Sequence, residues 1–167
     1  GNKPISGCIG CGSCLKTGEC FMQDKVNEFL EKVPKTDGFI FGSPVHFAAT
    51  SGMLSSFMDR VFYGRRKLFS NKLGSAVVSC RRGGATAALD EINKYFGISN
   101  MPIVSSQYWN IVHGNNPEEV LKDEEGMQTM RTLGNNMAWL LKSIEAGKKA
   151  GIKLPENESI ISTNFIR

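Results

Sequence analysis

The 167-residue sequence contains no apolar run close to the roughly 20 residues that a membrane-spanning helix needs, so we expect no membrane partner. It also lacks a concentrated stripe of Lys and Arg, because its basic residues are scattered apart from pairs at 65–66, 81–82 and 148–149. With a net charge of +4, this pattern favours small anionic ligands and predicts no nucleic-acid partner. Repeats, low-complexity tracts and long linkers are missing too, which predicts one domain over 1–167 with a C-terminal tail from about 147.

The cysteines are few and unevenly placed. Four of the five lie between positions 8 and 20, which is unlike the disulfide framework of a small secreted domain. Such clustering is typical of a metal site in a cytoplasmic protein, and we expect that location here.

The spacing of those four cysteines is Cys8-x2-Cys11-x2-Cys14-x5-Cys20, with glycines between them that let the backbone curl around a single centre. The first three match the bacterial ferredoxin pattern, although the fourth is spaced differently, and we predict ligands for a [4Fe–4S] cluster. Zinc is an alternative, but zinc sites usually draw on two well-separated pairs of ligands. Free thiols in a loop are a third interpretation.

Apolar periodicity predicts helices and strands in alternation. The predicted elements are a helix capped by Asp24, a strand at 39–41, a helix from about residue 50, a strand at 76–78, a helix carrying Leu89 and Ile92, a strand at 102–104, and a long helix over about 124–146. The wholly apolar strand at 39–41 is expected to be buried on both faces. This order is typical of an α/β domain with a doubly wound parallel sheet, whose ligands bind at the carboxyl ends of the strands.

The beginning of the sequence does not fit a complete domain of that kind. A doubly wound domain normally opens with a central strand, a tight loop and a helix, and residues 1–7 can provide at most the end of one strand. We therefore expect the sequence shown to lack a first βα unit.

Two segments that follow predicted strands carry the features of a ligand site. Gly42 and Pro44 should break the first strand, so that the residues up to Phe47 offer backbone polar groups and a flat apolar side to a planar heteroaromatic ligand. The segment Ser79-Cys80-Arg81-Arg82-Gly83-Gly84 combines close backbone approach with positive charge, which suits an anionic ring or a phosphate. A plain turn and a surface arginine pair are the structural alternatives.

Three further side chains are less informative. Trp109 could stack on a ligand or pack in the core or at a subunit contact. His46 and His113 have no evident carboxylate partner in the sequence, so we assign no catalytic residue.

The sequence resembles the NAD(P)H-dependent FMN reductases of the flavodoxin-like class, including their iron–sulfur flavoprotein branch. The resemblance is carried by the cysteine segment, the two loops, the helix at 51–60 and the segments at 99–102 and 106–110. The resemblance covers roughly residues 5 to 145. It implies a flavodoxin-like fold, bound FMN, NADH or NADPH as co-substrate, and a homodimer or homotetramer. The implied cofactor-binding residues are Ser43, Pro44, Val45, His46, Phe47, Arg81, Arg82, Gly83, Gly84 and Trp109.

The sequence departs from that family in one respect. The family holds the FMN phosphate in a Ser-rich loop after its first strand, and no such segment is present here.

The resemblance leads to two main functional hypotheses. The first is a reductase that passes electrons from NAD(P)H through FMN to a quinone, a flavin or another small acceptor. The second is an electron-transfer protein whose cluster exchanges electrons with FMN and a ferredoxin-like partner. A zinc-stabilised binding module is the third hypothesis.

Overall fold

The computed structural model describes residues 3–165. Within those residues the sheet has four strands in the order β2-β1-β3-β4, namely β1 (Gly38–His46), β2 (Ala49–Thr50), β3 (Leu73–Cys80) and β4 (Ile111–His113). The strands β1, β3 and β4 are parallel, whereas β2 folds back antiparallel on the end of β1. Three parallel strands in one sheet require crossover connections, and helices supply them.

The helices of the described part are α1 (Ser13–Thr17), α2 (Lys25–Leu30), α3 (Gly52–Arg65), α4 (Ala85–Ile98), α5 (Pro117–Val120) and α6 (Glu124–Lys149), with 3₁₀ turns at Val33–Lys35 and Arg66–Phe69. None of the helices found between residues 3 and 165 is long and apolar enough to cross a membrane. Asp24 caps α2 by accepting the Val26 N–H, and Ser51 caps α3 by accepting the Leu54 N–H. These starts agree with the prediction, because short polar side chains before an apolar periodic run satisfy the free N–H groups of a helix.

Helices cover both faces of the sheet. One face packs side chains such as Phe41 and Val78 against α2, α3 and α4, and the other packs Leu73 against Leu133 and Met137 of α6. The alternation of side chains along β3 separates these two cores, because successive residues of a strand point to opposite faces. The predicted doubly wound α/β fold is thereby confirmed.

The first strand differs from its prediction in two ways. It continues through Gly42 and Pro44 to His46, and its parallel pairing with β3 includes the Pro44–Ser79 pair. Among residues 3–165, the two-residue β2 is the strand that pairs with β1 on the side opposite β3. The strand is also not buried on both faces, since Phe39 and Phe41 are buried whereas Ile40 is 51% exposed.

The prediction of a strand at 102–104 is wrong. Only Ile103 forms a bridge there, to Gly74, and the third parallel strand is the later β4. The buried Ser75 side chain joins both segments to β3: its hydroxyl donates to the Val104 carbonyl oxygen at 2.9 Å and accepts from Asn110 Nδ2 at 3.1 Å, directly before β4 begins. A buried hydrogen bond of this kind must be satisfied, and no apolar pattern reveals it.

Candidate functional site

The turn between β1 and β2 lies at the carboxyl end of the parallel sheet and is built from two residues, Phe47 and Ala48. Both have left-handed backbones, with φ of 51° and 59°, in a position where Asn or Gly is usual. The Phe47 side chain is fully exposed. Backbone strain of this kind persists only where the surroundings enforce it, and it is frequent at ligand sites.

Side chains from α4 and β1 hold this turn. Glu91 of α4 accepts hydrogen bonds from the Thr50 N–H at 2.9 Å, from Thr50 Oγ1 at 2.8 Å and from Ser55 Oγ at 3.1 Å. Burial by itself would raise the pKa of Glu91, but these hydrogen bonds outweigh it and lower the pKa. On the other side, buried Ser43 accepts the Ser51 N–H at 2.8 Å. The turn is therefore tied to the starts of both β2 and α3.

The segment after β3 lies against the same turn. Gly84 has a left-handed backbone with φ of 84°, and a Cβ placed on it would lie 2.7 Å from Ala48 Cα. The exposed residues Arg81, Arg82 and Gly83 precede it. Gly84 is also the N-cap of α4 and has no side chain with which to cap the helix, so the first N–H groups of α4 are available to an anionic ligand.

Gly84 also lines a cavity of about 340 Å³. The rings of Tyr108 and Trp109 form one wall, with centroids 4.9 Å apart, and both side chains are more than half exposed. Arg82 and His113 line it as well. Four predicted ligand residues, Arg82, Gly83, Gly84 and Trp109, thus meet at one cavity, whereas the Ser43–Phe47 segment adjoins it through Ala48.

His113 has a carboxylate neighbour that the sequence did not reveal. Its Nδ1 lies 3.7 Å from an oxygen of Asp123, and the same carboxylate accepts the His113 backbone N–H at 2.7 Å and the Gly126 N–H at 3.0 Å. Burial opposes ionisation of Asp123, but these N–H groups and the neighbouring His113 lower its pKa. Asp123 is therefore an anion that fixes the end of β4 and the start of α6 together.

The four clustered cysteines line a second, much smaller pocket of about 20 Å³. Cys8 and Cys11 are exposed, whereas Cys14 and Cys20 are partly buried. Burial raises the pKa of Cys14, and so does its proximity to Cys20, Cys8 and Cys11. Across residues 3–165 the structure nevertheless holds no three Cys, His, Asp or Glu side chains close enough together to bind a metal ion.

The backbone around the cysteine pocket adopts conformations that favour glycine. Gly10, Gly12 and Gly18 all have positive φ, and the last two flank the short helix α1 that carries Cys14. Gly64 of α3 lies against Cys14, since a Cβ placed there would lie 2.8 Å from Cys14 Cβ and closer still to Sγ. The fifth cysteine, Cys80, is buried at the end of β3 and takes no part in the pocket.

Arg60 of α3 is the polar residue of the cysteine pocket that the sequence did not reveal. Its side chain is 1% exposed and donates two hydrogen bonds to Asp24, at 2.7 and 2.9 Å, and two to Cys20 Sγ, both at 3.3 Å. Burial would raise the pKa of Asp24, but the hydrogen bonds and charge of Arg60 and the Val26 N–H lower it. The signal available in the sequence was only an arginine within an otherwise apolar helix face.

Residues 3–116 match the family model of NADPH-dependent FMN reductases. An iron–sulfur flavoprotein of Methanocaldococcus jannaschii is 34% identical over 152 aligned positions, in an alignment that covers 86% of this chain and 79% of that protein.

Among solved structures, the Trp repressor binding protein of Bacillus subtilis superposes with a TM-score of 0.58 at 17% identity, over 65% of this chain and 75% of that one. An NADH:FMN oxidoreductase, EMOB, in its apo form superposes with a TM-score of 0.53 at 18% identity, over 74% of this chain and 62% of that one. At these identities the two structures establish the fold.

Proposed function

This chain belongs to the NADPH-dependent FMN reductase family, and from that membership we propose that it is an FMN-dependent oxidoreductase that takes electrons from NADH or NADPH. The observation that carries the proposal is the strained Phe47–Ala48 turn packed on Gly84 at the carboxyl end of the sheet. Ligands of open α/β sheets bind at that edge.

The residues around this turn suit an isoalloxazine ring and its anionic groups. The Ser43–Phe47 segment would line one side of FMN and the Arg81–Gly84 segment the other edge. The uncapped N–H groups at the start of α4 and the charge of Arg81 or Arg82 supply the donors that a reduced, anionic ring needs. Bound FMN would supply the chemistry: it accepts a hydride equivalent from a nicotinamide and releases electrons to an acceptor.

The protein's own contribution is orientation and charge. Glu91 fixes the Phe47–Ala48 turn by accepting both Thr50 hydrogen bonds. Asp123 fixes the end of β4 by accepting the His113 N–H. The cavity lined by Tyr108 and Trp109 offers a flat apolar wall for a second ring, either the nicotinamide or a small acceptor such as a quinone or a free flavin.

Oxidation of NADH or NADPH by the FMN-loaded protein, followed by the loss of reduced-nicotinamide absorbance at about 340 nm, tests this proposal. Turnover with a quinone or free flavin is expected. The absence of turnover with every common acceptor, in protein shown by its absorbance to hold FMN, would contradict it.

The cysteine pocket supports a second candidate, an iron–sulfur flavoprotein that exchanges electrons with a ferredoxin-like partner. Four thiol donors share one pocket, and thiolates are the ligands that iron–sulfur clusters take. Ligation would require the exposed Cys8 and Cys11 to draw in around the metal, as metal sites commonly do when binding is coupled to local folding. A [4Fe–4S] cluster would supply one-electron transfer.

Anaerobic reconstitution followed by iron and sulfide analysis tests the second candidate. Iron and sulfide in equal amounts, with a broad brown absorbance beside the flavin bands, is the expected result. Bound zinc without sulfide, or protein that retains no iron, would exclude it.

A further inference from the structure

Arg60 has an unusual environment for a cation. Its side chain is 1% exposed, yet it lies in the wall of the cysteine pocket on the third turn of α3. A buried guanidinium is costly unless its donors are paired, so its contacts indicate what the position is for.

The guanidinium has five N–H groups, and acceptors surround all of its nitrogens. Nη1 donates to Asp24 and to the Ser6 carbonyl oxygen at 3.3 Å, while Nη2 donates to Asp24 and to the Met22 carbonyl oxygen at 3.1 Å. Nε and Nη2 both donate to Cys20 Sγ. Two N–H groups therefore point at one sulfur.

These contacts span the whole cysteine segment. Ser6 lies two residues before Cys8, and Met22 lies two residues after Cys20, so Arg60 joins the two ends of the segment that carries all four thiols. An ion pair with Asp24 would account for one edge of the guanidinium. It leaves unexplained the two donors directed at Cys20 Sγ, because an uncharged cysteine sulfur is only a weak hydrogen-bond acceptor, whereas a sulfur that ligates a metal carries negative charge.

We propose that Arg60 is a positioning residue of the cysteine pocket: it holds Cys20 as the anchored ligand and raises the reduction potential of an iron–sulfur cluster bound there. The inference rests on the iron–sulfur function proposed above. Hydrogen bonds to ligand sulfurs are a principal determinant of cluster potential, and donors that stabilise added negative charge favour the reduced state. Cys8 and Cys11 are exposed, and of the two partly buried cysteines, Cys14 and Cys20, it is Cys20 that accepts the Arg60 hydrogen bonds, so the anchored role falls to Cys20.

The test compares Arg60→Met, Arg60→Lys and Asp24→Asn in the full chain after anaerobic reconstitution. We would measure the iron and sulfide content of each variant and the retention of its cluster against a chelator. An EPR-monitored titration gives the cluster midpoint potential, with the FMN potential as an internal reference. Arg60→Met should lose cluster affinity by about 10–100-fold, as changes in residues that support metal ligands typically do, and its cluster potential should fall while that of FMN stays constant. Arg60→Lys keeps the charge but not the planar fork of donors, so its cluster affinity and potential should lie between those of wild type and Arg60→Met.

Asp24→Asn is the matched control, because it removes the carboxylate charge and leaves both donors on Cys20. Its cluster potential should not fall, even if the protein is less stable. A merely structural role for Arg60 predicts the opposite: lower stability in the variants with an unchanged cluster potential.

The outcomes separate the inference from the function on which it rests. Wild-type protein that takes up no iron overturns both. Wild-type protein that carries a cluster, together with Arg60 variants that have the same retention and potential, overturns the role of Arg60 alone. If Arg60→Met does not fold, an unchanged potential and retention in Arg60→Lys overturns that role equally.

Discussion

Replacement of Gly84 by alanine tests whether the packing of the two loops forms the flavin site. Gly84 has φ of 84°, which an L residue adopts at a cost of about 1–2 kcal/mol. The new Cβ would also lie 2.7 Å from Ala48 Cα and 2.9 Å from Ala48 Cβ, distances that real Cβ atoms do not sustain. The obstacle is largely backbone, so the Phe47–Ala48 turn must move away.

The size of the effect follows from the backbone strain and the displacement of the turn. Each 1.4 kcal/mol of lost interaction corresponds to about a tenfold loss of affinity, so strain and displacement together should weaken FMN binding by about tenfold or more. Gly97→Ala, near the end of the same helix α4 and outside the cavity lining, is the matched control, since a Cβ there meets nothing within 4 Å and its backbone has no positive φ. It should bind FMN within about twofold of wild type, the change expected of an exposed surface substitution.

FMN affinity is measured by quenching of flavin fluorescence, and urea unfolding of each apoprotein shows that the variants remain folded. The FMN affinities of the two alanine variants, compared with each other, decide whether the two loops form the flavin site. If Gly84→Ala loses stability but binds FMN as tightly as Gly97→Ala does, the two loops do not form the flavin site together.

Two further predictions concern the cysteine pocket. Asp24→Asn keeps a capping side chain but removes the charge opposite a buried arginine, and because the Asp24 side chain is 30% exposed we expect the free energy of unfolding to fall by about 1–3 kcal/mol. The pKa of Asp24 is lowered in the folded state, so its contribution to stability is fully present above the unfolded pKa of about 3.9 and is lost as pH falls through the folded pKa. The free energies of unfolding of wild type and Asp24→Asn, measured in urea, should therefore converge below about pH 4. A constant difference between them down to about pH 2 would contradict this argument. Gly64→Ala should reduce iron uptake on reconstitution, since its Cβ would displace Cys14, whereas Gly134→Ala in α6 meets nothing within 4 Å and should stabilise the protein by about 0.5–1 kcal/mol without affecting iron. Equal iron content in the two alanine variants would refute the argument.

Local signals in the sequence predicted most helices well. Asp24 and Ser51 precede periodic apolar runs, and both cap the helices that follow. The long final helix was predicted over about 124–146 and extends over Glu124–Lys149. Capping and 3.6-residue periodicity involve residues a few positions apart, so they can be recognised without knowledge of the fold.

Strands were predicted less reliably, because their limits depend on pairing partners far away in the sequence. The apolar segment at 102–104 resembles a strand as much as 111–113 does, and the extent of pairing with β3 distinguishes them: Ile103 makes a single bridge to Gly74, whereas residues 111–113 pair with residues 78–80. Similarly, the strand at 38–46 passes through a glycine and a proline because its pairing with β3 continues to Pro44.

The sequence by itself determined the chemical elements of this protein: four cysteines at cluster-like spacing, glycine-containing loops after apolar strands, and the alternation that produces a parallel sheet. Only the tertiary structure decided how these elements meet. It packed Gly84 against the turn at Ala48, placed Trp109 on the cavity beyond it, and turned two N–H groups of Arg60 toward Cys20, 40 positions away in the sequence. The physical reason is that composition and spacing fix which donors a chain possesses, whereas the burial of a charge and the approach of two backbones depend on residues that only the fold brings together.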